Sequence, residues 1–178
     1  MNPAYSLLRP FLFAGLAAAS LTIAAAEAPP SRVSVEWSDV ASLSETKEAH
    51  GRGWQRGEAW LVDLRKHLQR SAERVLPPGD RLDVTITDIK LAGAYEPWRG
   101  SRYDDVRIVK DIYPPRIDLK FVLSGADGRV IAEGERKLRD PGFLTRTIAN
   151  TSDPLRYEKR LLDEWLRNEL TADARKAP

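Results

Sequence analysis

The sequence predicts an α+β fold: a two-layer sandwich in the order β-α-β-β-β-α, with two helices on one face of a mixed, mostly antiparallel four-stranded sheet. Three observations predict it. Short runs alternate apolar and polar residues with the two-residue period of half-buried strands. Two longer runs repeat apolar residues at three- and four-residue spacing, the period of amphipathic helices. Each element therefore has one main apolar face, and one helix layer on one sheet is the economical way to bury them all.

The first strand spans about Arg32 to Trp37, where Val33, Val35 and Trp37 alternate with Ser34 and Glu36. Ser38 to Gly53 reads as polar and irregular, ending in His50-Gly51-Arg52-Gly53. The first helix runs from about Gln55 to Leu76, with Trp60, Leu61, Leu64, Leu68, Ala72 and Val75 as its stripe. Pro77-Pro78-Gly79 stops it, because proline cannot supply the next donor and glycine takes the left-handed turn. Leu82, Val84 and Ile86 mark a second strand from Arg81 to about Leu91, and Ile117, Leu119, Phe121 and Leu123 mark a third. Ala126-Asp127-Gly128 has the chemistry of a hairpin turn. The fourth strand, Arg129 to about Leu138, carries Val130, Ala132 and Gly134 on one side. The small Ala132 and Gly134 would let a helix approach. The last helix starts at Asp153-Pro154, a capping residue with proline in the first turn, and buries Leu155, Leu161, Leu162, Trp165, Leu166 and Leu170.

Ahead of these elements, Phe11 to Ala26 is apolar and small, preceded by Arg9 and ending in Ala24-Ala25-Ala26. This is the pattern of a secretory signal peptide cut before Glu27. The run is short for a membrane span of about 20 residues. The expected organisation is a leader over 1–26, a single α/β domain over 27–170 and a polar tail over 171–178. The product would be exported to the periplasm of a Gram-negative envelope, with no stable membrane span after cleavage. The chain has no cysteine, so disulfides, thiol chemistry and a lipid anchor on cysteine are excluded. Its 28 basic and 26 acidic residues give a net charge of +2. Losing the leader removes only Arg9, leaving +1, without the basic excess that nucleic-acid binding requires.

Gly93 to Pro114 joins two strands expected to be neighbours, and it is far longer than a hairpin needs. It is also too apolar for a solvated linker, with Tyr95, Trp98, Tyr103, Val106, Ile108, Val109, Ile112 and Tyr113. Val106, Ile108 and Ile112 suit a short extra strand, and Tyr113-Pro114-Pro115-Arg116 suits a stiff strand entry. The acids Glu96, Asp104, Asp105, Asp111 and Asp118 interleave with Arg99, Arg102, Arg107, Lys110 and Arg116. Such density favours structural ion pairs over paired catalytic carboxylates. Aromatic faces beside guanidinium groups suit a protein or glycan ligand. The candidate binding residues are Glu96, Trp98, Arg99, Tyr103, Asp105, Arg107, Asp111, Tyr113 and Arg116, although Trp98 could instead plug the end of the core. With two histidines, His50 and His67, no metal site, cofactor or catalytic residue is predicted. A Ser-His-Asp arrangement stays open geometrically, but no G-x-S-x-G elbow or phosphate-cradling glycine loop is present.

The strings "DIKLAGAYEPWRG", "DDVRIVKDIYPPRIDLKFVL", "ADGRVIAEGERKLRD" and "DPLRYEKRLLDEW" resemble the bacterial exported family known as domain of unknown function 3016. The resemblance covers nearly all of the chain after the leader and implies a proteobacterial envelope protein. It implies no reaction. The leading expectation is a non-catalytic binding or envelope-assembly module acting through the aromatic/Arg loop at 93–116, with an envelope protein or glycan as partner. The alternative is a hydrolase using loop carboxylates such as Asp104, Asp105 or Asp111, with or without a metal. A third reading is a homo-oligomer paired through exposed strand edges.

Overall fold

The computed structural model of the chain describes residues 31–49, 58–146 and 152–174. The leader, His50, the expected start of the first helix at Gln55 and the last four residues lie outside that set. The elements are β1 (Val33–Trp37), α1 (Ser44–Ala49), α2 (Ala59–Val75), β2 (Arg81–Lys90), β3 (Ala94–Tyr95), β4 (Arg107–Ile108), β5 (Arg116–Ser124), β6 (Val130–Arg139) and α3 (Arg156–Ala174). The main sheet has the order β1-β2-β5-β6. β1 runs parallel to β2, and the remaining pairs are antiparallel. A parallel pair needs a crossover, and the segment holding α1 and α2 supplies it. The predicted α+β sandwich with a mixed four-stranded sheet is the observed one.

The core lies between this sheet and helices α2 and α3. Val33, Val35, Leu82, Val84, Ile86, Leu119, Phe121 and Leu123 supply the sheet side, and Leu64, Leu68, Ala72, Leu162, Trp165 and Leu166 the helix side. Each leucine-sized side chain so buried contributes roughly 1.5–3 kcal/mol. Trp60 meets Trp37 edge-on at 6.1 Å, and Trp165 meets Phe121 edge-on at 5.7 Å. Val75, expected in the α2 stripe, is exposed at the last turn of its helix instead. Gly79 takes φ +89°, and a Cβ there would stand 2.7 Å from the Cβ of Ala126, so the turn after α2 requires glycine. At α3, Asp153 accepts a hydrogen bond from the Leu155 N–H at 2.8 Å, and Lys159 bridges Asp153 to Asp63 of α2 at 2.8 Å each.

Two local findings refine the expectations. Ser38–Gly53 is not wholly irregular: Asp39 caps a 3₁₀ turn at Val40–Ser42, and α1 follows. Asp88 of β2 fixes the start of α1 by accepting from the Ser44 N–H and hydroxyl, both at 2.7 Å. In β6, the space beside Gly134 is used by an arginine head. A Cβ at 134 would lie 2.8 Å from Arg136 Nη1. That guanidinium covers the Phe121 ring at 4.9 Å and donates two hydrogen bonds to Glu169 of α3, at 2.6 and 2.8 Å. No helix among the described residues is long and apolar enough to cross a membrane.

Candidate functional site

The long connection between β2 and β5 is built on a buried ionic hub. Beyond β2 the backbone of Leu91, Ala92 and Gly93 leaves the ladder while still inside the protein, so its polar groups need other partners. Side chains from three elements supply them. Arg107 of β4 donates through Nη1 to the carbonyls of Leu91, Ala92 and Gly93 at 3.2, 3.1 and 2.8 Å. Glu45 of α1 accepts from the Leu91 N–H at 2.9 Å, and Glu158 of α3 from the Ala92 N–H at 2.6 Å. Arg107 also pairs with Glu45 through Nη2, and its guanidinium lies 5.1 Å from the centre of the Tyr95 ring. Lys90 pairs with Glu48 and stands 4.0 Å from Glu45. Gly93 is what lets the chain cross here. Its φ is +87°, and a Cβ would meet the Ile108 carbonyl oxygen at 2.8 Å.

Burial dominates the electrostatics of the hub. It raises the Glu45 carboxyl above the usual range against the opposing pull of Arg107. It pushes Glu158 up to about 7, against the opposing effect of the Ala92 hydrogen bond. Glu158 Oε2 is buried with no hydrogen-bond partner, which fits a group protonated well above the ordinary carboxylate range.

A second cluster fixes the loop above the hub. Glu96, only 1% exposed, accepts from Lys110 Nζ at 2.6 Å and the Tyr113 hydroxyl at 3.0 Å, and pairs with Arg99. The Lys110 hydrogen bond holds the Glu96 carboxyl below its usual range, and the bond to Glu96 raises the Tyr113 phenol. From this anchor two 3₁₀ turns, Pro97–Arg99 and Ser101–Tyr103, turn out through Gly100 at φ +105°. The β3–β4 ladder and a 2.9 Å bond from the Gly93 N–H to the Tyr113 carbonyl close the base. Pro114 and Pro115 sit just before the first residue of β5, where no ladder donor is needed.

The predicted site residues therefore divide. Glu96, Arg107 and Tyr113 point inward and are engaged by the protein itself, and Arg99 reaches back to Glu96. Trp98 is 72% exposed, so it does not plug the core; Ile112 is 66% exposed, and Tyr103, Val106 and Val109 stand out with them. Asp105 and Asp111 are exposed, and Asp111 accepts from the Ile112 N–H at 2.9 Å. Arg116 is exposed at the start of β5, between Lys90 and Arg139 in the ladder. Among the described residues no three His, Asp or Glu side chains group as metal ligands.

Of the two histidines only His67 is among the described residues, and its geometry is not that of a triad. Asp163 Oδ1 lies 2.9 Å and Ser71 Oγ 3.4 Å from the same ring nitrogen, Nε2. A relay requires the acid and the hydroxyl on opposite nitrogens, so this is no triad. Sequence reasoning missed Glu45, Lys90 and Glu158. Glu158 did carry a signal: it shares the spacing of Leu155, Leu162 and Trp165, which places a charge on a buried helix face. Glu45 carried none, because it stands in a polar stretch.

A family model described as "Protein of unknown function (DUF3016)" matches residues 31–168. The chain belongs to that family. The DUF3016 match runs from the residues leading into β1 to near the end of α3, so it takes in the sheet, both long helices, the hub and the whole 93–116 loop. No curated protein matches the chain.

Proposed function

We propose that this DUF3016 protein is an exported, non-catalytic binding module that docks a partner protein of the cell envelope on the rim of its 93–116 loop. The carrying observation is Trp98, 72% exposed at the end of a segment whose base is locked by Glu96. A large aromatic held outward on a stiff support loses little entropy on binding, which is the character of an interface anchor. The neighbours favour protein over glycan. Ile112, Val106 and Val109 add exposed aliphatic surface, while Arg102 and Tyr103 supply polar edges. Export rests on the apolar leader and Ala24-Ala25-Ala26; a mature mass beginning at Glu27 is the expected reading, and a chain retaining Phe11 would refute cleavage.

The docking test is site-specific photo-crosslinking in the native envelope. A photoreactive side chain at Trp98 or Ile112 should capture one discrete protein, and the same group at Arg129, on the exposed β5–β6 turn, should not. Indistinguishable products from all three positions would defeat the proposal. Binding of a soluble glycan that Trp98→Ala abolishes would replace the protein partner with a carbohydrate.

A further inference from the structure

The two edges of the main sheet are treated differently. β6 covers ten residues and displays Glu133, Glu135, Lys137 and Arg139, the charged character of an edge protected against pairing. β1 is five residues long and borders a groove of about 660 Å³ between the strand and Arg65 and Gln69 of α2.

Among the described residues no strand pairs with β1 on that side. The Arg32 carbonyl accepts from the Leu82 N–H at 2.9 Å, and the Ser38 N–H donates to the Ile86 carbonyl at 3.0 Å. Even-numbered residues of β1 therefore bond to β2, and alternation turns the N–H and C=O of Val33, Val35 and Trp37 to the open edge. At Val33 they are taken. Ser31 Oγ accepts from its N–H at 3.2 Å and donates to its carbonyl at 2.9 Å, and Gln69 reaches the same carbonyl at 3.4 Å. Among the described residues nothing similar meets the backbone of Val35 or Trp37. Two residues that line the same groove, Trp37 and Arg65, each hold a buried donor without a hydrogen-bond partner, Trp37 Nε1 and Arg65 Nε. Arg65 forms no ion pair among the described residues. Buried donors are rarely left unmet, because each stays desolvated without return until an acceptor arrives.

We propose that the open edge of β1 binds an extended polypeptide segment bearing a carboxylate, which adds as a fifth strand beside Val35–Trp37 and places the carboxylate against Arg65 and Trp37. Alternating edge donors and acceptors match a peptide backbone, whereas a small anion would use only the donors. The two orphan side-chain groups are both donors and one is cationic, so they call for an acceptor-only anionic group. A second copy of this chain fits less well. It would bring the same donors, and its Glu36 lies on the opposite face of the sheet from Val35 and the α2 layer. The groove shares no lining residue with the 93–116 loop, so the inference stands apart from the proposed rim.

The test is selection of random heptapeptides against the full chain, then titration of the best binder as a synthetic fluorescent probe. Arg65→Gln should weaken that probe by about tenfold or more, the loss of a charge-assisted bond, with the thermal midpoint unchanged. Arg70→Gln, on the exposed face of α2, should leave its Kd unchanged. N-methylating the probe one amide at a time, against the unaltered chain, should abolish binding at alternate positions only, the period that strand addition imposes. Tolerance of N-methylation throughout, equal binding by Arg65→Gln, or a selection without binders would overturn the proposal. So would a solution dimer that Val35→Pro dissociates, which would give the edge to a second copy.

Discussion

The inner half of the 93–116 segment and its rim are drawn from the same residue types and are used in opposite ways. Inside, Glu96, Arg107 and Tyr113 each meet protein partners at hydrogen-bond distance. At the rim, Arg102, Asp111 and Tyr103 are exposed along with Trp98 and Ile112. Composition does not separate the two. What separates them is whether nearby backbone needs a partner. Leu91, Ala92 and Gly93 leave the sheet while still buried, and Arg107 with Glu45 and Glu158 completes them. Among the described residues no buried backbone group takes a side-chain partner from Trp98, Tyr103 or Ile112. A charged loop can thus be structural at its base and available at its tip.

The largest expected effect breaks the base. Arg107→Ala strips three buried carbonyls of a donor and leaves Glu45 facing a lost cation. A loss of roughly 3–5 kcal/mol in urea unfolding is expected. Arg107→Lys should recover only part of it, because an ammonium cannot fork to the carbonyls and to Glu45 together. A loss below about 1 kcal/mol, the level of an ordinary surface change, would mean the hub is dispensable.

Next comes Glu158, whose sign differs from that of Glu96. Its folded value, raised from 4.5 to about 7, means that the folded protein holds this proton more tightly than the unfolded chain. The contribution of Glu158 to stability is therefore fullest below pH 4.5 and declines as pH rises toward about 7, by roughly 3 kcal/mol over that window. Glu158→Gln keeps an acceptor for the Ala92 N–H and removes the charge, so it should flatten this slope. The check is unfolding free energy of both proteins at several pH values, and parallel curves would show that Glu158 does not titrate in the fold. Glu96 is held low, so its contribution is present at neutral pH and lost as acid protonates it. Glu96→Gln should speed amide exchange across residues 97–112 while α2 and α3 keep their protection. Uniform loss of protection would merge tip and core into one unit.

The sheet and helices were legible because periodicity reports burial face by face. Leu64, Leu68, Leu162 and Trp165 stand where their spacing placed them. The site was legible only as a region. Charge interleaving announced ion pairs such as those of Glu96 with Arg99 and Lys110, but Glu45 and Glu158 lie 62 and 66 residues from the groups they meet, Arg107 and Ala92. No local pattern encodes contacts that tertiary folding alone brings together. Trp98 was undecided for the same reason: a tryptophan beside proline and glycine suits a plug or a platform, and only the position of the neighbouring backbone chooses.

The smallest expected effect on stability tests that choice. Trp98→Ala removes the largest side chain of the rim, yet with most of it in water the change should stay within about 0.5 kcal/mol. Trp165→Ala makes the same truncation in the core, where Trp165 packs on Phe121, and should cost about 3–5 kcal/mol. The pair of variants, measured by thermal unfolding side by side, calibrates one tryptophan against the other. If the rim is an interface, Trp98→Ala should also lose the partner captured by crosslinking from Ile112 while its own unfolding midpoint holds. If Trp98→Ala instead destabilises the fold by more than about 1 kcal/mol, beyond an ordinary surface change, then Trp98 supports the loop from outside, and the rim is the outer wall of the hub rather than a surface prepared for another protein.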